Sequence, residues 1–239
     1  MHRLLLAVLF ASTCALSAQD CGNLPWEANL TYRANSIESS FVRDMSKVTS
    51  DALLPLTISV PVGLYVYGMI APEGSNLADK RYAAESGLQT FVTMGLTYGV
   101  VLVLKNVIDR PRPYEAYPGC IVNYRDDSDG SMPSGHSAGS AALATSLILR
   151  YPQWYVVAPS IAYALYTGFA RLNLGMHYLS DVLVGYAIGV GIALGVNALN
   201  NELFDLADPI LPNAASSQTM LLNFTPTQSI PVFSMSIPL

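Results

Sequence analysis

Five stretches of this chain contain no Asp, Glu, Lys or Arg: 53–71, 86–104, 131–149, 151–170 and 182–201, each 19 or 20 residues long. About 20 apolar residues in helical form span the hydrocarbon of a bilayer. A helix buried in a soluble core can also be apolar all round, but five of them in 239 residues are more than such a core can hide. The stretches are rich in Gly, Ala, Ser and Thr, as at Ala138–Ala142 and at Gly185, Gly189, Gly191 and Gly195, and small residues let helices approach closely in a membrane. The expectation is an all-α fold: a membrane-embedded bundle of about five to six helices. The third stretch is the weakest span, because it opens like a loop and its helix should run only from about His136 to Arg150.

Composition supports this reading and closes others. Charged residues are 12% of the chain, against about 25% in ordinary soluble domains. The mean hydropathy of +0.36 excludes a disordered chain. The net charge of −5 and the lack of any Lys/Arg run argue against a nucleic-acid partner.

Residues 1–18 read as a secretory signal peptide: His2 and Arg3 precede the apolar run 4–10, and Ala15 and Ser17 or the following Ala18 mark the cleavage region. An uncleaved first helix would need a longer run. Residues 19–52, with Trp26 and Tyr32, form an N-terminal segment suited to the membrane surface. Residues 53–201 make the helical domain. Residues 202–239 form a proline-containing tail with no Lys or Arg, to which no role is assigned. Once Cys14 leaves with the leader, Cys21 and Cys120 remain, and an even number in a secreted context suggests a disulfide; two unpaired thiols are the alternative.

Chemistry concentrates in three places. Lys105 and Arg112 flank the end of the second stretch, where Pro111 and Pro113 stop the helix near Ile108. Ammonium and guanidinium groups together suit a phosphate, although basic anchoring at an interface has the same look. Pro133-Ser134-Gly135-His136 opens the third helix with capping residues, whose backbone N–H groups suit an anion. Arg171, His177 and Asp181 lie between the fourth and fifth stretches, with His177 and Asp181 four apart on one helical face. Asp181 is placed to accept from Nδ1–H, leaving Nε2 as nucleophile or base. If all five helices span, the three places share one face of the membrane. The acidic stretch Asp126-Asp127-Ser128-Asp129 lacks the carboxylate pattern of a calcium loop and reads as an acidic turn in a substrate rim (114–132), which also holds Tyr114, Tyr117 and Tyr124.

Order and spacing together resemble the type 2 phosphatidic acid phosphatase (PAP2) superfamily, in its membrane-embedded lipid phosphatase branch. Lys105 to Arg112-Pro113, Pro133 to His136, and Arg171 to His177 to Asp181 match its three-part signature, with Ala170 where the family has Ser. The resemblance implies that His177 attacks phosphorus, that Asp181 orients it, and that His136 protonates the leaving group and then activates water. It implies that Lys105, Arg112, Arg171, Ser134 and the Gly135 N–H hold the phosphoryl oxygens, with no metal and no cofactor. The expected partners are a phosphorylated lipid substrate (monophosphate or pyrophosphate) and the membrane, and the oligomeric state is left open. The expected place is the bacterial inner membrane with the site facing the periplasm. That orientation leaves only Lys80, Arg81 and Arg150 on the inner side, against the positive-inside rule. A soluble secreted non-specific acid phosphatase with the same site is the alternative; a haloperoxidase or an inert lipid-binding protein fits less well.

Overall fold

In the computed structural model, residues 21–71, 76–125 and 129–212 are described. The expected leader and the last part of the tail lie outside them. The order is α1 (Trp26–Asn35), α2 (Ser40–Ile70), α3 (Leu77–Ile108), the single turn α4 (Pro113–Ala116), α5 (Gly135–Arg150), α6 (Trp154–Asn173), α7 (Leu179–Ala198) and α8 (Asn200–Ala207). No strand occurs among the described residues. Each of the five charge-free stretches lies largely within one of the helices α2, α3, α5, α6 and α7.

Local signals set the helix ends. Ser39, Asn76 and Ser134 cap α2, α3 and α5, each accepting from a backbone N–H of its first turn. α3 stops at Ile108, where Asp109 takes a left-handed φ of 42° before Pro111 blocks further helix. α2 differs from expectation: it begins at Ser40, so the boundary at 52/53 falls inside one continuous helix. Asp44, Lys47 and Asp51 lie in its first half, and charged residues there do not interrupt a helix whose backbone bonds continue past them.

Apolar length separates the helices. Among the described residues, α2, the segment Leu77–Ala116 and α7 are long and apolar enough to cross a membrane. α5, at 16 residues, is short for a full span, as its sequence implied. α5 lies at the centre, packed against α3, α6 and α7, and Ser137 through Ala144 are all buried.

The interior mixes small apolar with polar side chains, and many large apolar side chains face outward. On α3 the buried face is Ser86, Gln89, Thr90, Thr93 and Thr97. The three Thr hydroxyls donate to carbonyls one turn back, at 2.7–2.8 Å, so these buried groups are satisfied within the helix. The outward faces carry Leu54, Ile58, Phe91, Leu96, Val103, Leu165, Leu183 and Leu194, each at least 45% exposed. Water penalises such a surface; lipid does not.

Glycines set the α5–α7 distance. A Cβ on Gly185 would lie 2.6 Å from the Ser134 carbonyl oxygen, and one on Gly189 would meet the Ala138 carbonyl. Gly185→Leu is expected to push these helices apart. In detergent, Tm should fall by the equivalent of about 1–3 kcal/mol, the usual cost of overpacking, whereas Gly191→Leu, where a Cβ meets open space, should leave Tm unchanged.

Candidate active site

The three sequence motifs meet at one end of the bundle. Lys105 occupies the last turn of α3 and Arg112 the N-cap of α4. Both side chains are buried, at 7% and 1% exposure. Lys105 Nζ donates to the Gly130 carbonyl at 2.5 Å and pairs with Asp129 Oδ2 at 3.0 Å. Arg112 donates to Asp129 Oδ1 at 2.5 Å and to the Met176 carbonyl at 3.1 Å. Asp129, part of the acidic turn in the expected substrate rim, therefore joins the two cations. Burial pushes its carboxyl up, and Lys105 and then Arg112 outweigh that, holding it below the ordinary carboxylate range.

Ser134 and Gly135 open α5. The Ser134 hydroxyl accepts from the Ser137 N–H at 3.3 Å and lies 2.9 Å from the Ser137 hydroxyl, so it caps the helix in this state. His136, one residue further on, lines the same cleft as Lys105 and Arg112. The Ser134 N–H donates to the Asp181 carbonyl at 3.0 Å, which fixes the start of α5 to the start of α7.

Arg171 lies in the last turn of α6, 1% exposed, with its guanidinium 3.4 Å from Ser50 Oγ. Gly175, at φ +75°, turns the chain toward His177 in a conformation that strains other residues. His177 is buried at 1% exposure. Its Nδ1 stands 3.6 Å from Asp181 Oδ2, beyond the direct hydrogen bond that the spacing suggested. The cause is competition for the carboxylate. Asp181 already accepts from Arg110 at 2.7 Å, from Ser131 Oγ at 2.5 Å and from the Tyr178 N–H at 2.9 Å. Catalytic hydrogen bonds often tighten only when substrate is bound.

A cleft of about 370 Å³ opens at this end, and Arg171, Ser134 and Asp181 lie outside its lining. Lys105, Arg112, Asp129, Gly135, His136 and His177 form its polar part. Leu53, Leu54, Tyr98, Val101 and Leu102, from α2 and α3, form an apolar wall. Leu54 and Leu102 are also 62% and 59% exposed on the outer surface, so this wall continues onto the flank of the bundle.

Sequence reasoning missed Arg110, Glu27 and Ser131 as members of this site. Arg110 bridges Asp181 to Glu27 Oε2, the latter at 3.0 Å, and its guanidinium lies 3.9 Å from the Tyr178 ring centroid. Tyr114 and Tyr117 pack against the cluster of Leu24, Ala28, Cys120, Ile121 and Tyr178, and the Arg43 guanidinium stands over the Tyr124 ring. Cys21 and Cys120 are joined by a disulfide with a Cα–Cα distance of 5.5 Å.

Comparison with known proteins decides the family. The model of the PAP2 superfamily matches residues 86–205, half of the chain. The chain belongs to the PAP2 superfamily. It is 31% identical over 121 residues to the lipid A 1-phosphatase of Rhizobium johnstonii, covering 49% of each chain. It is 29% identical over 165 residues to phosphatidylglycerophosphatase B of Bacillus subtilis, covering 64% of this chain and 70% of that one. The chain spans about half the length of the first curated relatives it matches. Aquifex aeolicus LpxE superposes with a TM-score of 0.59 at 20% identity, over 74% of this chain and 97% of that one, which places the all-α fold with PAP2 structures. Three helices long and apolar enough to cross a membrane, with large apolar side chains facing outward, make this chain a membrane protein.

Within this PAP2 site, burial pushes the His177 imidazole down to about 4; the Arg171 and Arg112 charges add to the drop and Asp181 opposes it. The folded state thus refuses a proton that an unfolded imidazole takes up near pH 6.5. This contribution to stability is present above about pH 6.5 and is lost as pH falls toward about 4, by at most about 1.4 kcal/mol per pH unit. Tm measured across that window should decline in the wild type and decline less in His177→Asn. Parallel curves would remove His177 as the origin.

Proposed function

We propose that the protein is a membrane-embedded, metal-independent phosphatase that hydrolyses a lipid phosphate or polyprenyl pyrophosphate through a phosphohistidine. The observation that carries this reading is the two-sided cleft. Its cationic part fits a phosphate, and its apolar wall, running out to the lipid-facing flank, fits the hydrocarbon attached to that phosphate. A soluble phosphomonoester has no use for that wall.

In this reading, Lys105, Arg112 and Arg171 hold the nonbridging phosphoryl oxygens, with Ser134 and the Gly135 N–H at the helix entry. His177 Nε2, neutral at physiological pH, attacks phosphorus. As the P–N bond forms, the bond to the leaving oxygen breaks and His136 gives that oxygen a proton. His136 then takes a proton from water, whose oxygen attacks phosphorus, breaks the P–N bond and releases orthophosphate. Asp181 faces Nδ1 and stabilises the imidazolium character that develops. Lys105 and Arg112, which line the cleft, and Arg171 behind it supply, in this reading, the charge that a metal ion provides elsewhere. Relatives with similar sequences act on lipid A and on phosphatidylglycerophosphate by name, which supports a lipid substrate and leaves its headgroup to experiment.

The disulfide lies at the site end of the bundle, and disulfides persist in oxidising compartments. That supports a site facing the periplasm from the bacterial inner membrane.

Purified protein in detergent should release phosphate from one or more of phosphatidic acid, phosphatidylglycerophosphate, undecaprenyl pyrophosphate and lipid A, at a rate unchanged by a chelator. His177→Ala should lower that rate by at least about a thousandfold; full activity in that variant would overturn the mechanism. Asp129 competes with phosphate for Lys105 and Arg112, so Asp129→Asn should lower the inhibition constant of orthophosphate about fivefold, equivalent to about 1 kcal/mol. An unchanged constant would show that the carboxylate does not occupy the phosphate position.

A further inference from the structure

α1 lies outside the region matched by the family model, yet one of its faces is directed at the nucleophile loop. Glu27, Thr31 and Asn35 are spaced i, i+4, i+8 and therefore share a stripe. Glu27 Oε1 accepts from the Ser180 N–H at 2.8 Å, while Oε2 pairs with Arg110 at 3.0 Å. Thr31 Oγ1 donates to the His177 carbonyl at 3.3 Å. Asn35 donates to the Asn173 carbonyl at 2.9 Å and to the Val122 carbonyl at 3.0 Å, and accepts from the Val122 N–H at 2.8 Å. Thr31 and Asn35 are fully or almost fully buried. Just before α1, the Cys21–Cys120 disulfide ties the chain to the loop that follows α4.

We infer that Glu27 is a positioning residue for the nucleophile: it shares the Arg110 guanidinium with Asp181 and so sets the place and effective charge of the carboxylate facing His177. This rests on the reading of His177 as nucleophile. Arg110 divides its donors among Glu27, Asp181 and the Ser180 hydroxyl. The Glu27 carboxyl is pushed up by burial, and the Ser180 and Arg110 donors outweigh this and hold it below its ordinary value, so it stays ionised. The charged groups facing His177 are Asp181 from α7, Arg171 from α6 and Arg112 from the α3 exit; those facing Asp181 are Arg110 and His177. Neutralising Glu27 leaves the Arg110 charge balanced by Asp181 alone. The field of Asp181 at Nδ1 is then weaker and the imidazole less basic. Lys105 and Arg112, which line the phosphate part of the cleft, do not touch Glu27, so substrate binding should be spared.

The test compares Glu27→Gln, Glu27→Asp and His177→Ala in the full chain in detergent, using a lipid phosphate the wild type hydrolyses. Glu27→Gln keeps the shape and an acceptor for the Ser180 N–H and loses the charge. Its kcat is expected to fall about tenfold with KM within twofold of wild type, and the acid limb of its kcat/KM profile should move to lower pH. Glu27→Asp, which restores the charge, should recover part of kcat and return the limb toward the wild-type position. A kcat loss that follows a lowered Tm, with the wild-type pH profile in both variants, would overturn the proposal in favour of a structural role. So would wild-type kcat in Glu27→Gln. If His177→Ala retains activity, the underlying reading fails instead, and the proposal falls with it.

Discussion

The Asp181 carboxylate is the point on which the site depends. It draws in Arg110 from the α3 exit, Ser131 from the loop before α5 and the N–H of Tyr178 from its own helix start, and it faces His177. Its backbone carbonyl holds the N–H of Ser134. One residue thus connects all three motifs, which lie up to 76 positions apart between Lys105 and Asp181. A buried carboxylate is costly unless charge and hydrogen bonds compensate it. Here each compensating partner belongs to a different chain segment. Satisfying Asp181 therefore assembles the site, and removing any one partner leaves a buried charge short of its compensation.

Such a network needs a rigid frame, and the frame follows from the solvent. In lipid, apolar burial does not drive helices together, so close packing of small residues has to. Gly185 and Gly189 let α7 approach the α5 backbone. That contact brings Ser134 within bonding distance of Asp181. The Thr ladder on α3 answers the same constraint: its hydroxyls bond back to their own helix, so the buried face stays compact and satisfied. Many large apolar side chains then lie on the outer surface, where a water-soluble protein would bury them.

Much of this was legible in the sequence because it is written in spacing. The end of α3 follows from Pro111 and Pro113, the start of α5 from Ser134, and the juxtaposition of Lys105, His136, Arg171 and His177 from an alternation of helix directions. The 52/53 boundary falls inside α2 because an absence of charge marks lipid-facing length, whereas the helix continues through charged residues beyond it. Arg110 and Glu27 were not legible as partners. They lie 83 positions apart, and a long-range ion pair leaves no periodicity in either segment. Arg110 stood beside Arg112 in the sequence, yet the two point to different acids: Arg112 to Asp129 and Arg110 to Asp181. Only the fold distinguishes them.

The scarcity of charge takes on a specific meaning in this arrangement. At the site end, Lys105 and Arg112 share Asp129, Arg110 is divided between Asp181 and Glu27, and Arg125 pairs with Asp51. At the opposite end, Arg81 pairs with Glu85 and Asp208, and Arg150 with Glu85. A cation beside an apolar bundle has little water to screen it, so each of these is paired with an acid, Asp129 and Glu85 serving two cations each, and most of these pairs join different chain segments. The site end differs in one respect. Asp129 is 52% exposed, whereas Lys105 and Arg112 are buried at 8% and 1% by side chain. Of the three charges, the anion is the one free to yield its place to water or to a stronger anion, while the cations stay fixed by the Gly130 and Met176 carbonyls. In the proposed reading, a phosphate entering the cleft would meet donors already oriented, and the reorganisation would fall on Asp129, the exposed one of the three charges.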